Sequence, residues 1–107
     1  MKESEWKKFK KLKELCLERF CDGVLNEATC ICKSNEKTAH ERYGDLYKLI
    51  RDKDKELANA FNGLSRGKAF IQLMMMYRMG LVEEKQLDEF EDETKNSVRD
   101  IVNRDDL

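Results

Sequence analysis

The run Ala69-Phe70-Ile71-Gln72-Leu73-Met74-Met75-Met76-Tyr77 is apolar nearly all the way round a helix, with Gln72 its one polar residue. Ser65 ahead of it can act as an N-cap, and Gly80 behind it as a stop, so a third helix is expected from Ser65 to Met79. A helix without a polar face is covered by its neighbours. This segment is therefore expected to be the central helix of an all-α domain, a compact bundle of four to five helices spanning residues 1–107. Leu81, just after Gly80, can supply the hydrophobic contact of a Schellman-type end.

Upstream, Thr38-Ala39-His40-Glu41 has the form of a capping box, in which the Thr hydroxyl takes the N3 amide and the Glu reaches back to the cap. Ala39, Tyr43, Leu46, Ile50, Leu57 and Phe61 then recur at helical spacing, with Tyr47 beside them, and Asn62-Gly63 ends the helix. Lys33–Lys37 is polar and reads as a loop.

Before that loop, Trp6, Phe9, Cys16, Leu17, Phe20, Val24, Ala28 and Ile31 form the stripe of a first helix from Glu5 to about Ile31, with Ser4 as its cap. At 1.5 Å per residue it would span roughly 40 Å. Gly23 lies inside it and marks a place for a kink or break. Leu12, Leu15 and Leu25 are placed off the stripe, as surface left over for a neighbour.

Downstream, Glu83 to Phe90 reads as a short acidic helix with Leu87 and Phe90 inward. Glu93 to Val102 reads as a last helix using Val98, Ile101 and Val102. Residues 103–107 are expected to fray.

The absence of proline and the presence of only five glycines support a helical chain. No stretch approaches the roughly 18 apolar residues of a membrane span, and Met1–Lys13 lacks a signal-peptide core, so a cytoplasmic location is expected. Net charge is −1, with seven Lys/Arg against four Asp/Glu in residues 1–19 and ten acids against four bases in residues 83–107. Neither end is a pure charge run, and no basic stripe marks a nucleic-acid surface.

Cys16, Cys21, Cys30 and Cys32 are spaced Cys-x4-Cys and Cys-x-Cys. On a continuous helix the members of each pair point about 140° and 160° apart, at 100° per residue. Neither pair can hold one zinc ion there, and His40 is the single histidine. The cysteines are read as packing residues, reduced in a cytosol, and no metal or cofactor is expected. Gly63-Leu64-Ser65-Arg66-Gly67-Lys68-Ala69 resembles a phosphate-binding P-loop only superficially. It is one residue short between the glycines, has Ala69 at the metal-binding hydroxyl position, and follows no strand. Ser65, Arg66 and Lys68 remain candidates for holding an anion at a helix N-terminus, against the plainer reading of a capped, solvated turn.

A helix-turn-helix from Leu57 to Met76 would offer the bases little beyond Gln72 and Arg78. No Ser-His-Asp or Cys-His grouping can be assembled, and His40 beside Glu41 reads as a surface residue. Lys13 in the first stripe and Asp54 in the second are anomalies. Asp54, if covered, needs a partner, with Arg66 and Lys13 the nearest candidates.

Three functional readings follow. The leading one is a non-enzymatic protein-interaction or regulatory module, with a homodimer through the first helix and an interface at Leu12, Leu15 and Leu25. The second is a nucleic-acid-associated regulator using the basic N-terminal helix with Arg66 and Lys68. The third is a small helical enzyme or ligand binder with a site between helices.

Overall fold

The computed structural model describes residues 1–105, and among them the chain is all helix and turn. The helices are α1 (Glu3–Lys33), α2 (Ala39–Phe61), α3 (Arg66–Arg78), α4 (Glu84–Leu87) and α5 (Asp92–Asp105). α1 begins at a Lys2 cap rather than at Ser4 and runs unbroken through Gly23. A single helical glycine costs only about 1 kcal/mol, which thirty surrounding helical residues readily absorb. α5 continues past the expected end at Val102, so residues 103–105 are helical; Asp106 and Leu107 lie outside the described residues.

The turn chemistry follows the sequence closely. Thr38 Oγ1 accepts the Glu41 amide at 3.1 Å, and Glu41 Oε1 accepts the Thr38 amide at 3.1 Å, completing the capping box that starts α2. At the end of α3, Gly80 takes a φ of 76°, with the Leu81 amide on the Met76 carbonyl and the Gly80 amide on the Tyr77 carbonyl, both at 3.0 Å. This is the Schellman closure, and its left-handed residue has to be glycine to avoid Cβ strain. Between α2 and α3 it is Gly63 that turns left-handed, while Asn62 stays extended. Ser65 occupies the N-cap position of α3, but its hydroxyl makes no capping bond.

One core gathers side chains from all five helices, with Phe9, Cys16, Leu73, Met76, Leu87 and Val98 fully enclosed. α3 is central in that it touches α1, α2 and α5. Its enclosure is nevertheless one-sided. Ala69, Gln72, Leu73 and Met76 are buried, Phe70 and Tyr77 are only partly covered, and Ile71 is exposed. The reason lies in the two long helices. α1 and α2 pair as an antiparallel hairpin whose upper part extends away from α3–α5, leaving fewer elements to wrap the centre.

That extension shapes the molecule. Its extents are 52 × 30 × 21 Å and its radius of gyration is 16.5 Å, where about 13 Å is usual for a globule of this length. No residue between Phe20 and Ala60 is buried. The hairpin beyond Phe20 is thus a two-helix projection without a core of its own.

Candidate interaction face of the helical hairpin

The expected interface residues separate on the structure. Leu12 is buried in the core, which corrects its placement off the stripe. It follows Phe9 by three residues and precedes Cys16 by four, the spacing that puts all three on one helix face. Leu15 is exposed, beside α4 in a shallow recess with Lys8, Lys11 and Phe90. Leu25 is exposed on the projecting part of α1. The three leucines therefore form no single surface.

A contiguous surface does exist, and α2 supplies most of it. Tyr43, Tyr47 and Ile50 are exposed although they continue the apolar stripe that ends in buried Phe61. At 100° per residue these side chains fall within one narrow sector. Leu46, Leu49 and Leu57 of α2 are half-buried. Leu25 of α1 meets Ile50 across a groove of about 200 Å³, which Phe20, Cys21, Val24 and Leu57 floor. The body of the molecule lies on the other flank of the hairpin, where Met79 and Leu81 approach Arg19, Gly23 and Glu56. On the groove's flank Leu25, Tyr43, Tyr47 and Ile50 stay exposed, with the Arg51 guanidinium over the Tyr47 ring, 5.9 Å from its centroid.

Asp54 lines the same groove and is exposed. Neither of its expected partners reaches it. Arg66 pairs with Glu3 and lies over the Trp6 ring, 5.8 Å from its centroid. Lys13 donates to the Gly63 carbonyl at 2.5 Å and to Gln72 Oε1 at 3.3 Å. An exposed carboxylate keeps its water and needs no such pairing.

Ser65, Arg66 and Lys68 do sit together at the start of α3, but Arg66 is engaged by Glu3. Lys13 stands close enough to Lys68 for the second ammonium to add to the effect of burial, and both hold Lys13 below the usual lysine range. Arg66 and Lys13 thus join α1 to the start of α3 and to the turn before it. Gln72, the residue a recognition helix would have offered to bases, is buried. It donates to the Asn62 carbonyl at 2.9 Å and the Gly63 carbonyl at 3.3 Å.

Other polar contacts also fasten the body. Arg19 donates to the Leu81 carbonyl at 2.7 Å and Gln86 Oε1 at 2.8 Å, and pairs with Glu83. Glu5 is buried and accepts the Glu91 amide at 3.3 Å, capping the start of α5 from another helix. Arg99 binds Glu84 and Asp88, and the Tyr77 hydroxyl donates to Glu84 at 2.6 Å. No sequence signal marked Glu5, because its partner lies 86 positions away.

The cysteines share no site. All four lie on uninterrupted α1, with Cys16 buried, Cys21 half-buried, and Cys30 and Cys32 exposed. Among the described residues no three His, Cys, Asp or Glu side chains converge as a metal-binding group would require. A broad surface recess, about 570 Å³, lies where the start of α1 meets α5. There Lys2 pairs with Glu91, and Glu5 is engaged by the Glu91 amide. Among the described residues no helix is long and apolar enough to cross a membrane.

No protein-family model matches this chain, and neither a curated protein nor a solved structure matches it.

Proposed function

We propose that the chain is a non-enzymatic protein-interaction module that works through the projecting α1–α2 hairpin. One observation carries this reading: a hairpin with no buried residue between Phe20 and Ala60 presents Leu25, Tyr43, Tyr47 and Ile50 on one face. Contiguous exposed apolar patches mark contact surfaces, and tyrosine is among the residues enriched in the cores of interfaces. The groove at Leu25 and Ile50 suits an apolar side chain from a facing helix. Unpaired cysteines suit a reducing compartment such as the cytoplasm.

Photo-crosslinking in the native host tests the reading. A photoreactive residue in place of Tyr47 should give a discrete protein adduct, and the same residue at exposed Lys55, off the stripe, should not. Equal labelling from both positions, or none from Tyr47, would refute an interaction face at the hairpin.

A further inference from the structure

We infer that the occupant of the hairpin face is a second copy of this chain, the two hairpins meeting face to face as a four-helix bundle. The inference rests on the interaction reading above and names its partner.

The first support is structural. A pair of helices cannot enclose a side chain between them, and residues 21–59 contain no buried position. Two such hairpins laid apolar face to apolar face enclose a core, as four-helix bundles do. The second support is area. Leu25, Tyr43, Tyr47 and Ile50 are exposed to 62, 72, 62 and 46%. At roughly 200 Å² per large side chain they offer about 500 Å² per copy. A symmetric pair would bury about 1,000 Å², the lower bound for a specific interface. The match is therefore to a weak dimer, with a Kd on the order of 10 µM, rather than to an obligate one.

The third support is charge. Residues 20–57 carry eight Asp/Glu and seven Lys/Arg. The groove itself carries one Lys and one Asp, Lys53 and Asp54, so a copy approaching it meets almost no net repulsion. A two-fold arrangement also uses the same patch twice, which a self-complementary apolar face allows.

Sedimentation velocity on the full chain gives the test. At roughly 100 µM the mass should approach twice 12.7 kDa and return to 12.7 kDa near 1 µM. Leu25→Asp combined with Tyr47→Asp should remain a monomer throughout, a weakening of at least about 100-fold, since two charges would be buried unpaired. Its helical circular dichroism should match the parent, because both residues are exposed in the single chain. Tyr43→Lys makes the same test with the least disturbance of the hairpin. Leu15→Asp, off the face, should leave the dimer unchanged.

A parent chain that stays at 12.7 kDa at every concentration overturns the self-pairing, as does a dimer that persists in the face variants. Crosslinking from Tyr47 separates this failure from that of the broader reading. An adduct with a different protein, together with a monomeric parent, removes the second copy and leaves the interaction face. No adduct of either kind removes both.

Discussion

At the scale of single residues, the core rests on a few side chains that are wholly enclosed. Leu73 is one of them, at the middle of α3. Leu73→Ala is expected to cost about 2–5 kcal/mol, the transfer term plus the cavity it leaves. Urea unfolding measures this directly. A loss under about 0.5 kcal/mol would mean that the position is not enclosed. Cys16 is the second case. Burial pushes its thiol up from an ordinary 9.0 to about 11, against the opposing charge of Arg19. The folded state thus holds this proton more tightly than the unfolded one. The associated stability is intact below pH 9 and is lost as pH rises toward 11. Cys30 and Cys32 should react with a disulfide reagent in an early phase at neutral pH, and Cys16 only on unfolding. Early loss of the Cys16 thiol would contradict its burial. Gln72 was legible only as the one polar side chain of an apolar run; once buried, its amide must find partners. That the partners are the carbonyls of Asn62 and Gly63 depends on where the turn before α3 folds back.

At the scale of elements, α4 is the piece least able to stand alone, with one turn of helix held by side chains from three others. Arg19 reaches it from α1, Tyr77 from α3 and Arg99 from α5. Arg19→Ala should therefore raise amide exchange across residues 81–90 while leaving the upper hairpin as it was. Equal protection in parent and variant would show that Arg19 does not hold this segment. The acid response of this region follows from Tyr77 and Arg99. Glu84 sits below the usual carboxylate range, chiefly through the Tyr77 hydroxyl and then Arg99, and Asp88 does so through Arg99. Lowered carboxylate values contribute stability above the ordinary range near pH 4, and lose it as pH falls through the folded values. Both groups face solvent, so the step is small and should shrink further in salt. Arg99→Met should reduce the acid-induced loosening of α4 and α5, read by near-ultraviolet circular dichroism. An unchanged acid profile would assign that loosening to other groups.

At the scale of the whole molecule, the separation between a packed body and a coreless projection predicts uneven stability. Amides of residues 21–59 should exchange through local opening well below the global unfolding free energy, and those around Leu73 and Val98 only with it. Uniform protection would deny that the chain has two regimes. Dimerisation through the hairpin would raise protection of the projecting residues selectively with concentration. X-ray scattering of the Leu25→Asp, Tyr47→Asp chain should give a radius of gyration near 16.5 Å, set by the length of α1. A value near the roughly 13 Å of an ordinary globule would mean that the hairpin folds back onto the body.

By itself the sequence determined the local chemistry: an all-helical chain, the capping box at Thr38 and Glu41, the Schellman end at Gly80, and enclosed Leu73 and Met76 on α3, while Phe70 and Tyr77, expected beside them in the core, are only partly covered. Those features rest on interactions within a few residues of one another, so periodicity and turn residues encode them. Tertiary structure alone decided which apolar faces are covered. Tyr43, Tyr47 and Ile50 share a stripe with Phe61, and the sequence treats all of them alike. Only Phe61 is reached by the body. The rest project beyond it because α1 and α2 are longer than the three short elements that pack against their lower part. For the same reason Leu12 and Leu25, alike as residues, end in the core and on the surface. Burial depends on what stands opposite a side chain, and that is a property of element lengths and crossings that no single helix contains.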